Sequence, residues 1–279
     1  MRCSTICSAL LVLVLLPAAR AGAVGALLSF ERDGQPVKRL TVEQISAQVR
    51  PITVTLFDPH HGKRKSYRCW PIRPLMDAMY GPAWTSGDHS EAVMTAADGY
   101  ASQAEAAKLS QDGGCLAFED LDAGGGNWEP VGRKQADPGP FYLVWTRPEQ
   151  STENAYPWPW QLMSVDLIRF EARYPEVVPH GAKDGSPAWR GYQTFRAQCM
   201  RCHSINREGG KIGPDLNAPQ SVTRYRTKRW FKSYVKAPSK YRYTEMPDHP
   251  FLSDDDLDSL WAYFKTKAGQ PEKDWNPKD

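Results

Sequence analysis

Up to about Phe170 the chain alternates short β-branched, aromatic and aliphatic runs with clusters of turn-forming residues. The runs at 25–30, 52–57, 91–96, 141–145 and 167–172 read as strands. Asp33-Gly34, Asp58-Pro59-His60-His61-Gly62, Asp112-Gly113-Gly114 and Gly124-Gly125-Gly126-Asn127 punctuate them as turns. Helical patterns are short in this half, at 71–80 and 101–109, so an α+β domain with a mixed sheet is expected over 24–173. Residues 174–187 carry Pro, Gly and charge with little periodicity and read as a linker. Beyond it the period changes and an all-α domain is expected over 188–279. One helix leads into Cys199 over 187–197. A second starts at Ser253 as N-cap, with Leu257, Leu260, Trp261 and Phe264 on one face. Asp254, Asp255 and Asp256 in its first turn and Lys265 and Lys267 in its last suit the helix dipole.

The 279 residues, 41% apolar and 24% charged with a formal net charge of +3, are enough for a sizeable core and exclude a disordered or polyionic chain. Arg2, the apolar run from Ala9 to Leu16, Pro17 and the small residues from Ala18 to Ala23 have the layout of a cleaved secretory signal over 1–23. A periplasmic or otherwise exported protein is therefore expected. No later stretch approaches the ~20 apolar residues of a membrane span. Four cysteines remain after cleavage: Cys69, Cys115, Cys199 and Cys202. From Gly22 to His180 the chain has 15 Lys and Arg against 20 Asp and Glu, and from Gly181 onward 18 against 12. The near-neutral balance thus hides an acidic half and a basic half, which fits two domains.

Cys199-Met200-Arg201-Cys202-His203 is a C-x-x-C-H sequence, the attachment signature of haem c. Two sulfurs at this spacing reach the two vinyl-derived carbons of one porphyrin edge, and the next residue presents an imidazole to the iron. A thioredoxin-like pair belongs after a strand in a βαβ unit, and a zinc site needs two further ligands nearby, whereas no cysteine lies downstream. One covalently attached haem with His203 as iron ligand is the expectation. Met246, the one methionine after His203, is the expected sixth ligand, a pairing that raises the reduction potential; packing alone is its other reading. His249 reads as an exposed loop residue.

Residues from about Ala188 to Lys267 resemble a small class I cytochrome c. Gly191 and Phe195 stand before Cys199 as in that family's first helix, Gly213-Pro214-Asp215-Leu216 matches its G-P-x-L turn, Met246-Pro247 its distal loop, and 257–264 its last helix. The resemblance implies that the Pro214 carbonyl accepts a hydrogen bond from His203, that Tyr263 packs where Gly191 lets the first helix approach, and that Trp230 reaches a haem propionate. The run from Arg224 to Tyr243 interleaves eight cations with six aromatic rings. Nucleic acid is not the expected ligand in an exported haem protein. A docking surface for acidic redox partners and a plain solvated face are the two readings.

Residues from about Thr53 to Phe170 resemble the sulfite oxidase-type (oxidoreductase molybdopterin-binding) fold. The resemblance rests on 57–63, 71–76, Ala97-Asp98-Gly99-Tyr100, Cys115-Leu116-Ala117-Phe118 and 139–145, in the family's order. Asp58 to Arg68 holds no cysteine where that family has its metal ligand, so no molybdopterin cofactor is expected. His60-His61 reads as an exposed turn or a metal-binding pair. Cys69 and Cys115 read as a disulfide or as two buried thiols, with Arg68 and Arg73 flanking the first. The aromatic run from Tyr156 to Trp160 reads as packing at a sheet edge or domain interface. The function expected is single-electron transfer with the N-terminal domain as docking or positioning module. The rivals are a fused oxidoreductase that passes electrons from a small substrate to the haem, and an assembly subunit of a respiratory complex.

Overall fold

The computed structural model describes residues 25–132 and 135–270, and the expected signal segment lies outside them. The first half contains strands β1 (Leu27–Arg32), β2 (Gln35–Thr41), β3 (Ile52–Asp58), β4 (Lys63–Pro71), β5 (Glu91–Ala96), β6 (Ala101–Glu105), β7 (Gly114–Asp120), β8 (Tyr142–Trp145) and β9 (Leu162–Ile168). Short helices α1 (Val42–Ser46), α2 (Ile72–Tyr80), α3 (Ala106–Leu109) and α4 (Phe170–Arg173) punctuate them. One sheet has the order β2-β1-β9-β5-β6, mixed because β1 and β9 run parallel; the other, β3-β4-β7-β8, is antiparallel. The mixed α+β class expected from the sequence is the one observed. The expected helix over 101–109 is corrected: its first part is β6, whose Ser102 and Ala104 alternate inward, and only Ala106–Leu109 turns helical. The strand expected at 167–172 lies earlier, and a helical turn follows it.

The core of this half packs Leu28, Phe30, Trp70, Leu116, Leu143 and Leu167, each at most 1% exposed. The five-stranded sheet has two apolar faces. Ala92 and Met94 of β5 point into that core, while Val93, with Ile168 and Phe170, joins a second cluster that contains Tyr192, Phe195, Leu260 and Tyr263. Strand alternation therefore supplies both cores from one element. The segment expected as a linker lies against this second cluster, with Tyr174 and Val177 buried.

The C-terminal part comprises α5 (Pro187–Thr194), a wider π-turn over Phe195–Cys199, the two-residue strands β10 (Ser204–Ile205) and β11 (Glu208–Gly209), α6 (Val222–Tyr225), α7 (Lys228–Lys236) and α8 (Asp254–Ala268). Ser186 caps α5, accepting from Trp189 N–H at 3.3 Å, with Pro187 in its first turn. Ser253 and Asp256 close a reciprocal capping box on α8. The two helices cross at Gly191, where an added Cβ would stand 2.0 Å from the Ser259 carbonyl oxygen. Only glycine permits this approach. Tyr263, one turn beyond Ser259, packs at a tilt against Phe195 and Tyr192 at centroid distances of 5.4 and 6.0 Å and donates to the Val177 carbonyl at 2.7 Å.

Candidate haem attachment site

The helix that begins at Ser186 widens just before the cysteines: Met200 N–H donates to the Phe195 carbonyl, five residues back, at 2.9 Å. Met200 is fully buried and pins the loop. Cys202 and His203 N–H both donate to the Cys199 carbonyl, at 3.0 and 2.9 Å, so the two thiols and the imidazole share one tight turn. Both thiols are free and half-buried. Burial pushes the Cys199 thiol up to about 12, against the pull of Arg201, and moves Cys202 the same way. A disulfide-exchange pair needs the opposite shift, since the thiolate is the nucleophile. Among the described residues no group of three or more His, Cys, Asp or Glu side chains is placed to hold a metal ion.

His203 Nδ1 lies 2.8 Å from the Pro214 carbonyl. A carbonyl only accepts, so Nδ1 carries the proton and the Nε2 lone pair is left for an iron. Burial holds this imidazole below its ordinary pKa, which keeps the ligating neutral form. Gly213 lies flat against the ring: a Cβ there would stand 2.5 Å from His203 Cε1. Its turn is anchored by Asp215, a residue sequence reasoning passed over. The Asp215 carboxylate accepts from Ser204 Oγ at 2.8 Å and from the N–H groups of Arg207, Asn217 and Ala218 at 2.6 to 2.7 Å. The two thiols, the oriented imidazole and the glycine cradle fit haem c.

Met246 is half-buried and packs against the C-terminal core, its N–H donating to Thr244 Oγ1 at 3.1 Å. His249, expected on the surface, is 8% exposed, and its Nδ1 has no hydrogen-bond partner. Trp230 stacks on Tyr234 at 4.6 Å with the Arg226 guanidinium 4.3 Å from its ring centre. The basic run is partly tied down. Lys228 and Lys232 pair with Asp258 at 3.1 and 2.8 Å and Lys236 with Asp254 at 2.7 Å, which braces α7 to α8. Arg224, Arg229 and Lys240 stay exposed, as do the rings of Tyr241 and Tyr243.

The N-terminal sheets grip this site. Arg196 pairs with Glu91 of β5 and lays its guanidinium 3.8 Å from the Phe170 ring centre. Gln198 Nε2 donates to the Glu153 carbonyl at 3.2 Å. In the first half itself, His61 is not an exposed turn residue. Its side chain is 3% exposed, with Nδ1 3.2 Å from Asp58 Oδ2, and His60 sits edge-on to Trp160 at 4.7 Å. Tyr67 also donates to Asp58, at 2.7 Å. Cys69 and Cys115 are buried free thiols on neighbouring strands. Trp158 is buried in the core, and the Pro157 carbonyl accepts from Trp145 Nε1 at 2.7 Å, so the aromatic run packs along β8.

Residues 186–264 match the family model described as cytochrome C oxidase, cbb3-type, subunit III. No curated protein matches the chain. With the geometry above, the match identifies the C-terminal part as a cytochrome c domain, a kind of domain that binds haem c and transfers electrons. Among the described residues no helix is long and apolar enough to cross a membrane.

Proposed function

We propose that the chain is an exported monohaem c-type cytochrome that passes single electrons between redox proteins. Cys199 and Cys202 attach the haem, and His203 and Met246 ligate its iron. The N-terminal sheets, over 24–173, hold and position the haem domain of 188–279, joined to it through 174–187. The observation that carries this reading is the hydrogen bond from His203 Nδ1 to the Pro214 carbonyl, in one turn with two protonated thiols. When bound, the haem supplies an iron that cycles between its ferric and ferrous states.

The residues around it set the conditions for that cycle. The Pro214 carbonyl fixes the tautomer of His203 and raises its basicity as a ligand. Phe195 and Leu260, at most 1% exposed, belong to the apolar cluster against which Cys199 and Met246 pack, which would limit solvent access to the haem. Trp230, beside Arg226, is assigned to a propionate. Arg224, Arg229 and Lys240 form an electrostatic footprint for an acidic partner, whose association would weaken with salt. The order of motifs in the first half supports a sulfite oxidase-like ancestry without a molybdopterin.

The test is metal and haem analysis of the purified mature chain. One iron per chain, a haem retained after acid-acetone extraction, and its loss in Cys199→Ala/Cys202→Ala support the reading. Stoichiometric molybdenum or copper would instead favour a fused oxidoreductase. An extractable haem would overturn covalent attachment.

A further inference from the structure

β3 is an outer strand of the antiparallel sheet, and among the described strands it is bonded to β4 alone. Thr55 stands opposite Ser66 of β4, yet Ser66 turns both its main-chain groups the other way. Its N–H donates to Asp122 Oδ2 at 2.8 Å, and its carbonyl accepts from Leu121 N–H at 3.0 Å. The N–H and C=O of Thr55 therefore point to the open edge, and by alternation so do those of Thr53 and Phe57. All three residues are exposed, Phe57 at 60%. The Arg64 guanidinium reaches the Thr55 carbonyl at 3.4 Å, which leaves that oxygen a second lone pair. Two other outer strands are guarded. β8 is covered, since Leu143 N–H donates to the Pro159 carbonyl at 3.0 Å, and β2 carries Pro36, Lys38 and Arg39. β3 has neither charge nor proline from Ile52 to Phe57, so two copies of it meet without like-charge repulsion. Prolines stand at its borders instead, Pro51 and Pro59, each four residues from Thr55.

We propose that β3 pairs antiparallel with β3 of a second copy of this chain, about a two-fold axis at Thr55. Thr55 then faces its own counterpart, and Thr53 of each copy faces Phe57 of the other. Each such pair exchanges two N–H···O bonds. Pro51 falls opposite Pro59 of the second copy, where the ladder ends without a stranded donor. A slip of two residues in either direction sets a proline against Phe57 or Thr53 and loses a bond at each end; a slip of one exchanges the two faces. In the symmetric register Val54, half-buried in one copy, comes beside Leu56 of the second, so the apolar layer continues across the axis. The contact is isologous and closes at two chains. One strand pair is a small interface, so the dimer is a weak one, with a dissociation constant in the micromolar range.

Sedimentation velocity on the full-length mature protein, from about 1 to about 200 µM, tests the pairing. The weight-average mass of wild type should rise from one chain towards two. Thr55→Lys sets two ammonium groups against each other at the axis and should weaken the association by about tenfold or more. Phe57→Lys, made alongside, should act in the same direction, and both variants should keep the circular dichroism of wild type. Cross-linking reads the register. Oxidised Thr55→Cys should give a disulfide-linked dimer. Thr53→Cys should not, because the two copies of that residue lie about 13 Å apart along the ladder, beyond the reach of a disulfide. A wild type that stays monomeric across the range overturns the proposal. So does a dimer that Thr55→Lys and Phe57→Lys leave unchanged, and so does equal cross-linking of Thr53→Cys and Thr55→Cys.

Discussion

Glu91 and Arg196 pair across the two halves of the chain, 105 residues apart in sequence, and Arg196 stands three residues before Cys199. The Glu91 carboxylate is 4% exposed. Burial, with the neighbouring Glu105 charge adding to it, outweighs Arg196 and Lys108 and pushes its pKa up to about 7 from the ordinary 4.5. The folded state thus binds this proton more tightly than the unfolded one. Its contribution to stability is fully present below about pH 4.5 and is lost as pH rises through about 7. Over that window the effect is on the order of 3 kcal/mol. Thermal midpoints measured between about pH 5 and about pH 8 should fall more steeply for wild type than for Glu91→Gln. Parallel curves would show that Glu91 does not titrate there.

Gly191→Ala gives a test in which two rules have opposite signs. Helix propensity alone makes alanine better by about 0.5–1 kcal/mol. The crossing makes it worse, because the new Cβ would lie 2.0 Å from the Ser259 carbonyl oxygen and 2.4 Å from its carbon, and backbone cannot yield as a side-chain tip can. Separation of α5 from α8 should cost about 3 kcal/mol or more. A lowered thermal midpoint and a poorer yield of haem-loaded protein are expected. A midpoint at or above wild type would contradict the crossing.

What the sequence disclosed was what depends on near neighbours. The C-x-x-C-H turn, the Gly213-Pro214 cradle of His203 and the Ser253 cap each lie within a dozen residues of their partners, and each is found where it was expected. Strand β4 was missed because Lys63-Arg64-Lys65 reads as a polar turn. Lys65 is buried only because Asp120 and Glu129 come to it from 55 and 64 residues away. The alanines of β6 favour helix, while its inward alternation is decided by pairing with β5. Nothing local marked Arg196 as a bridge to β5, nor His249 as buried.

Cys69 and Cys115 make a chemical count possible. Both are buried and free, at 0% and 3% exposed. The hydrogen bond with Cys115 and burial hold the Cys69 thiol protonated, far above its ordinary pKa. The native protein should therefore not react with a thiol reagent. After denaturation two thiols per mature chain should react, since four cysteines are free among the described residues and the proposed haem thioethers would remove Cys199 and Cys202. No reactive thiol would mean a Cys69–Cys115 disulfide. Four would mean that no haem is attached.

Lys65 anchors the antiparallel sheet by charge rather than by apolar packing. Its side chain is fully buried, and Nζ donates to Asp120 Oδ2 at 2.8 Å and to Glu129 Oε2 at 2.7 Å. Asp120 is itself 1% exposed, so Lys65→Ala would strand a buried carboxylate at a cost of about 3–5 kcal/mol. Lys65→Met/Asp120→Leu removes both charges and should recover much of that loss, which a purely steric role for Lys65 would not produce. Hydrogen bonds from Lys63 and Lys65 also hold the Glu129 pKa down to about 2 from the ordinary 4.5. The folded state therefore binds the Glu129 proton less tightly than the unfolded one. The stability this gives is present above about pH 4.5 and is lost as pH falls towards about 2. Acid titration followed by circular dichroism should place the unfolding of Glu129→Gln less steeply against pH than that of wild type. Identical acid transitions in the two proteins would show that the Lys63–Glu129–Lys65 bridge does not form in solution.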